Sequence, residues 1–416
     1  MRMNPGAAIL TAFALCIGGA TAAELASAGD WPGWRGPNRD DISSETGLLK
    51  QWPATGPKLA WKTVGLGGGY SSVSVVGGKI FTMGDGRDGC VLIALNEKDG
   101  KQLWTAPVGA PGGNYPGPRG TPTVDGPVVY ALGQHGDLVC VEIASGKTVW
   151  KKSLPKDFGG KVMSGWGFAE SPLIDGDHLI ITPGSAKGTI AALNKKTGEP
   201  VWFSKDITDP AAYSSLIVED FGGVRQYMQL TASNVVGVSA KDGSVLWKAP
   251  RAGKTAVIPT PIFHDGVLFV TSGYGVGCNA FKITPKNGAF TAEQIYASPD
   301  LQNHHGGVVR IGEYVYGHSD SGGLTCMEMK TGKVMWKNPS VGKGSLTFAD
   351  GHLYMRSEGG KGSVALIDAS PEAYKETGRF DQPDRAKENS WPHPVISNGK
   401  LYLRDQGELL CYDVKG

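Results

Sequence analysis

The chain has 416 residues, 62 of them Gly and 26 Pro, with 41 basic and 39 acidic side chains and a net charge of +2. A near-neutral chain with no Lys/Arg run carries no electrostatic footprint for nucleic acid. Gly and Pro at this density suit many tight turns and work against a helical protein, while 40% hydrophobic composition over this length supplies a large core.

Residues 1–23 read as a secretory signal peptide. Arg2 gives the positive start, Ala7 to Ala20 the apolar stretch, and Ala20-Thr21-Ala22 the small residues of a cleavage site. The apolar stretch falls short of the roughly 18–20 residues that span a bilayer, and no later segment reaches that length. Leu15 stands before Cys16, where lipid attachment calls for a small residue. The expected mature chain is therefore a soluble monomer, periplasmic or secreted.

Residues 24–57 form an irregular lead-in whose Trp31, Trp34 and Trp52 sit among Pro and Gly without a steady period. Such large side chains are expected to pack onto the body of the fold. KLAWKTV (Lys58 to Val64) follows as an orphan strand. From there, residues 58–416 repeat one unit. Its clearest copy is GDLVCVEIASGKTVW, Gly136 to Trp150: an apolar strand, a turn ending in Gly, and a strand closed by Trp. Copies close at Trp104, Trp150, Trp202, Trp247 and Trp336, about 45 residues apart, with twice that between the last two. Gly277 to Tyr296 fills the gap, with Tyr296 in place of Trp. A degenerate copy runs from Gly362 to Phe380, and the last, Gly407 to Gly416, stops at its turn.

Each unit opens with a hairpin, as in SSVSVV and KIFTMG around Gly77-Gly78. The unit near Ser214 reads as looser, with a longer loop in SLIVEDFGGVRQYMQL. Counting openings gives eight four-stranded antiparallel units. The expected fold is all-β, a single eight-bladed β-propeller in which the N-terminal strand completes the C-terminal blade. Closure removes two sheet edges that would invite aggregation. After Cys16, five cysteines remain, of which Cys140, Cys326 and Cys411 occupy one repeat position in an apolar strand, and all five read as buried free thiols. No CxxC pattern suggests a metal centre, and no metal is expected.

The pattern of apolar, Ala/Cys, apolar, then Thr/Asp-Gly-Lys and Trp resembles the repeat of pyrroloquinoline-quinone (PQQ) dehydrogenases and their relatives, from Lys58 to Gly416. The resemblance implies that Trp61, Trp104, Trp150, Trp202, Trp247 and Trp336 dock between neighbouring blades. The lead-in WPGWRGPNRDD with GYSS (Gly69–Ser72) is similar to secreted PQQ-binding-like proteins of planctomycete-type bacteria. Size and blade count resemble BamB, a non-enzymatic outer-membrane assembly scaffold. The PQQ enzymes hold their cofactor under a disulfide of adjacent cysteines, beside a Ca²⁺ bound by carboxylate and Asn side chains, with an Asp base. This chain has no adjacent cysteine pair. The expectation is an exported, non-catalytic binding or scaffold propeller without a cofactor, serving a small molecule or a periplasmic or outer-membrane protein. The alternative is a PQQ-dependent dehydrogenase of alcohols or sugars, using PQQ with Ca²⁺.

In a propeller, the loop before each innermost strand opens on one mouth of the central channel, where polar residues of different blades converge. That position holds Tyr70, Arg119, Glu170, Tyr213, Ile258, His304-His305, Lys343, Trp391 and His393. Arg119, Glu170 and the His pair are the strongest candidates for a ligand site. Arg119 and Glu170 could instead pair across the mouth. On a strand, His304 and His305 would point to opposite faces. Trp166 and Trp391 suit a stacking platform.

Overall fold

Five hairpin tips carry two residues in succession at positive φ: Gly77-Gly78, Gly222-Gly223, Asp265-Gly266, Asp350-Gly351 and Asn398-Gly399. That geometry matches the right-handed twist of paired strands and folds the chain straight back. The computed structural model describes Met1 and residues 29–286 and 289–416, so the signal-peptide reading falls, apart from Met1, outside the described residues. Within them the chain forms eight sheets, six of them built from four consecutive antiparallel strands. Blade 1 runs Ser74–Val76, Lys79–Asp85, Cys90–Asn96 and Gln102–Gly109, from the channel outward. Blades 2 to 7 repeat that order, beginning at Thr123, Leu173, Ile217, Ile262, Val308 and Gly344.

Blade 8 takes Val395–Ser397, Lys400–Asp405 and Glu408–Asp413 from the C-terminus, and Lys58–Thr63 pairs antiparallel with the last of these as its outer strand. Ring closure is thus made by the two ends of the propeller sequence. Two details differ from the sequence expectation. Blade 7 has a fifth strand, Ile42–Ser43, parallel to Gly344–Ala349. Blade 4 has no long loop: Ile217–Phe221 and Val224–Leu230 meet at the two-residue Gly222-Gly223 tip. The extra residues lengthen the strands.

Every outer strand carries a bulge at the same repeat position. Ala60, Leu103, Val149, Val201, Leu246, Ile295, Met335 and Thr377 are skipped in the pairing. The next residue is the repeat aromatic in seven blades, and Gly378 in blade 7. A bulge increases local twist and here turns the ring toward the following blade. The indoles of Trp61, Trp104, Trp150 and Trp336 donate from Nε1 to the carbonyls of Glu97, Ile143, Lys195 and Ser370 in the next blade, and the Tyr296 hydroxyl donates to Met329. Trp202 lies against Gly243 of the next blade without such a bond. Trp247 behaves differently, since its Nε1 donates to Gln226 Oε1 within its own blade.

Blade 7 lacks an aromatic at this position, and Trp52 of the lead-in supplies one. A Cβ on Gly378 would lie 2.6 Å from Trp52 Cβ. The Trp52 ring packs with Tyr354 and Phe380, and Trp52 N donates to Thr377 O. All five described cysteines are buried free thiols.

The turn glycines fit these rings. Gly146 has φ 73°, and a Cβ there would meet the Trp104 ring at 2.8 Å, whereas one on Gly126, at φ 55°, would meet nothing within 4 Å. Gly126→Ala should cost the roughly 1 kcal/mol of a left-handed non-glycine residue. Gly146→Ala should cost a further ~1–3 kcal/mol for overpacking the seam. Urea unfolding of both variants measures the difference, and equal losses would show that the ring and turn are not tightly packed.

Candidate functional site

The lead-in residues WPGWRGPNRDDIS enter the central channel and touch all eight blades. Trp31 exchanges backbone hydrogen bonds with Val75 of blade 1, and Val124 N of blade 2 donates to Pro32 O. Arg39 donates from Nη2 to Ser171 O (3.0 Å) and from Nη1 to Pro172 O (3.1 Å), both leading into blade 3, and from Nε to Leu216 O (2.8 Å) of blade 4. Trp34 Nε1 donates to Thr260 Oγ1 at blade 5, and Arg35 Nη2 to Val308 O of blade 6 (2.7 Å). Ile42–Ser43 joins blade 7. Asp41 Oδ2 lies 3.2 Å from Arg35 Nε and 2.9 Å from Nδ1 of His393, which leads into blade 8. Arg35, Arg39 and Asp41 all have φ near +60°, a conformation that persists only where surroundings over-determine it.

This plug makes the channel blind. On the mouth formed by the loops before the inner strands it leaves a cavity of about 160 Å³. Trp34 forms its floor, its ring tilted by 48° against His393 at 4.4 Å between centroids. One wall is an aromatic arc: Tyr70 lies face to face with Trp391 (4.0 Å, 22°), Tyr115 and His305 flank Trp391, and His304 and Tyr274 continue the arc. Across the ring, Trp166 packs on Tyr213. Arg119, Ala169, Ser171, Ser215, Ala256 and Ile258 complete the lining, and no Asp, Glu or Asn is part of it.

Arg119 is held by neutral acceptors. Nη1 donates to Gly117 O and Gln134 Oε1 (3.1 Å each), and Nη2 to Asn114 O (2.9 Å) and Tyr115 O (2.8 Å). Its guanidinium lies 5.7 Å from the Tyr70 ring centroid, close enough for cation–π attraction. Asp85 reaches it only through the Gln134 amide, whose Nε2 donates to Asp85 Oδ2. Burial lowers the Arg119 pKa.

On the far wall, His305 Nε2 is 2.6 Å from Glu358 Oε2, and Trp391 Nε1 donates to the same oxygen. Burial alone would raise the Glu358 carboxyl, but His305, Lys343 and Trp391 outweigh it and bring it down to about 2. The ionised Glu358 carboxylate accepts a hydrogen bond from His305 Nε2–H, and burial lowers the His305 pKa against the pull of that bond. His304 Nδ1 accepts from Lys343 Nζ at 2.6 Å. Burial, His305 and Lys343 together press that imidazole down to about 3, so it is neutral and carries its proton on Nε2. The Ser171 and Ser215 hydroxyl oxygens accept from the backbone at Thr121 and Ser171. No histidine is bonded to either, so no nucleophile–base pair is assembled.

Of the positions singled out in the sequence, Tyr70, Arg119, Tyr213, Ile258, His304, His305 and Trp391 come together around this cavity. Glu170 and His393 do not line it. Glu170 turns into the seam between blades 3 and 4, accepting from Thr182 N (2.6 Å) and Thr182 Oγ1 (2.9 Å). Arg119 and Glu170 therefore do not pair across the mouth. His393 lies beneath the floor, between Asp41 and the His305 carbonyl. Lys343 acts from behind His304. The two histidines sit on a bend before Val308 rather than on a strand, which lets both reach the cavity. Trp166 and Trp391 stand on separate walls instead of forming one platform.

Trp34, Tyr115 and Tyr274 were not legible as site residues. The available signals were an aromatic inside the overlong Gly/Pro loop GAPGGNYPGPRG and another flanked by glycines in SGYGVG. The arrangement that the PQQ resemblance implies does not fit here. The lining offers no carboxylate or Asn for Ca²⁺, and the five described cysteines sit in five different blades. Elsewhere, His264, Asp265 and Glu313 cluster at exposed hairpin tips, where Lys330 already balances the acids at 3.3 and 3.0 Å.

Fold and site together define a plugged eight-bladed propeller of PQQ-like repeats. The family profile described as outer membrane protein assembly factor BamB matches residues 87–338, and the chain belongs to that family. It is 26% identical over 201 residues to the BamB of Xanthomonas campestris pv. campestris, covering 46% of this chain and 43% of that one. To the BamB of Burkholderia pseudomallei it is 26% identical over 190 residues, covering 43% and 45%. The matches thus span under half the length of these relatives. Among solved structures, the quinohemoprotein alcohol dehydrogenase of Comamonas testosteroni superposes with a TM-score of 0.64 over 93% of this chain and 81% of that one, at 12% identity. That likeness is one of fold.

Burial raises the Glu170 carboxyl to about 7 against the bonds from Thr182 and the charge of Arg39. A raised carboxyl stabilises the fold below its unfolded value, and that contribution is lost as pH rises through the folded value. Glu170→Gln should match the parent near pH 4.5 and gain relative stability up to pH 7, approaching about 3 kcal/mol above it. Paired unfolding curves across that range check this; a difference independent of pH would contradict it.

Proposed function

We propose that the chain is an exported, non-catalytic binding propeller that serves as a scaffold in outer-membrane assembly, with the blind mouth pocket as its ligand or partner site. Family membership supports the assembly role. The observation that carries the non-catalytic reading is the pocket itself. Its serine hydroxyls accept from backbone amides, its histidines are engaged with Glu358 and Lys343, and its lining has no carboxylate. An acid–base catalyst needs a group within hydrogen-bond reach of the reacting atom and free to exchange its proton. Aromatic walls around one cation are the composition of a recognition site. No helix among the described residues is long and apolar enough to cross a membrane.

The dehydrogenase alternative rests on the repeat and the shared fold. Titration calorimetry of the purified protein with PQQ and Ca²⁺ should give no binding heat at micromolar concentrations; a stoichiometric micromolar complex would overturn the non-catalytic reading. Deleting the chain from its native host should lower the yield of folded β-barrel proteins in the outer membrane. Unchanged barrel levels would overturn the assembly role.

A further inference from the structure

We propose that the mouth pocket selects a ligand with a single ring and one carboxylate, the ring lying against the Trp391–Tyr70 wall and the carboxylate on Arg119. This rests on the reading of the pocket as a binding site and specifies its occupant. Three independent features converge on that chemistry.

The first is size. A cavity of about 160 Å³ is close to the ~150 Å³ that takes up one benzene ring. A fused tricyclic polyacid such as PQQ brings more carboxylates than the single cation in the lining can meet. The second is shape. Trp391 and Tyr70 are nearly parallel at 4.0 Å, and Trp34 closes the bottom. A planar ring extends such a stack with the offset geometry that aromatic faces prefer.

The third is charge. Arg119 is the one Lys, Arg, Asp or Glu in the lining. Buried Arg35 pairs with Asp41 and Arg385 with Asp405, whereas buried Arg251 and Arg404, like Arg119, donate to neutral acceptors; of these five arginines Arg119 is the one that lines the cavity. Among the described residues no carboxylate lies within 4 Å of Arg119. Four of its five N–H bonds go to neutral oxygens, which fixes the side chain and leaves Nε–H to donate. A partly buried cation that a carboxylate, Asp85, reaches only through the Gln134 amide is costly, and an incoming carboxylate in direct contact relieves that cost. His304 adds no opposing charge, because its imidazole is neutral and its Nε2 bears a proton.

Trp34, Trp166 and Trp391 line the cavity, so ligand entry is read by their fluorescence. The probes are benzoate, benzamide and acetate, titrated at pH 7 into the full chain, with calorimetry in parallel. Benzoate should bind saturably, with benzamide and acetate each weaker by roughly tenfold or more. Arg119→Gln should abolish the preference of benzoate over benzamide, and Arg119→Lys should restore part of it, with melting temperatures recorded for each. Because Arg119 also anchors its loop, the benzoate–benzamide comparison on the unaltered protein stands as a separate test. Equal affinity for benzoate and benzamide would overturn the proposal while leaving the pocket a binding site. Absence of binding by any ring probe would overturn both.

Discussion

Two guanidinium groups in the channel, Arg35 and Arg39, set the terms for everything above them. The inner strands of a propeller converge on an axis where each lacks a neighbour on one side, so their carbonyls lie buried without a ladder partner. Buried backbone polar groups must be satisfied. Here one arginine fork caps Ser171, Pro172 and Leu216, and another caps Val308. Asp41 balances Arg35, is bonded in turn to His393, and continues into the short strand on blade 7. The plug thereby caps these four lumen carbonyls and converts a tunnel into a cup.

The periphery obeys a different constraint. Each blade ends in an outer strand with an unpaired edge, and unpaired edges recruit other strands. The bulge before the repeat aromatic disrupts the edge and in six blades aims the ring at the next blade, so one irregularity serves both protection and assembly. Blade 7 shows that the ring is needed at the seam rather than in the repeat: where the sequence offers Gly378, Trp52 arrives from the lead-in to cover it. Both ends of the lead-in are therefore structural, one in the lumen and one at a seam. Between them, only Ile42–Ser43 is regular strand.

These facts explain what could be read from the sequence. The blade count, the closure by Lys58–Thr63 and the repeat aromatics follow from a period, and a period is local information. The pocket follows from the departures from that period. The position before the inner strand places Tyr70, Arg119, Tyr213, His304, His305 and Trp391 around one cavity. It failed for Glu170, because the residue next to the strand turns into the seam, where Thr182 offers two donors. It failed for His393, because the floor above it is supplied by Trp34, some 360 residues earlier in the chain, and no spacing rule reports such a contact. Tyr115 and Tyr274 come from loops whose path depends on what they meet; Tyr115 reaches Trp391 of the opposite end of the sequence only after the ring has closed.

Floor and walls consequently belong to different parts of the folding problem. The walls are loops of a ring held by its seams. The floor is Trp34, positioned by Thr260 and by the polar plug beneath it. A ligand that stacks in the cup touches both, so its binding energy also favours the plugged state over any state in which the lead-in has left the channel. The same linkage runs in reverse: a plug already fixed by Arg35, Arg39 and Asp41 presents its indole without further ordering cost, and a preformed floor keeps more of the stacking energy for affinity. The strain held at three left-handed residues in the plug is thus located where rigidity benefits recognition. The segment that resembled an irregular leader is the part of the molecule that turns a repetitive scaffold into a particular site.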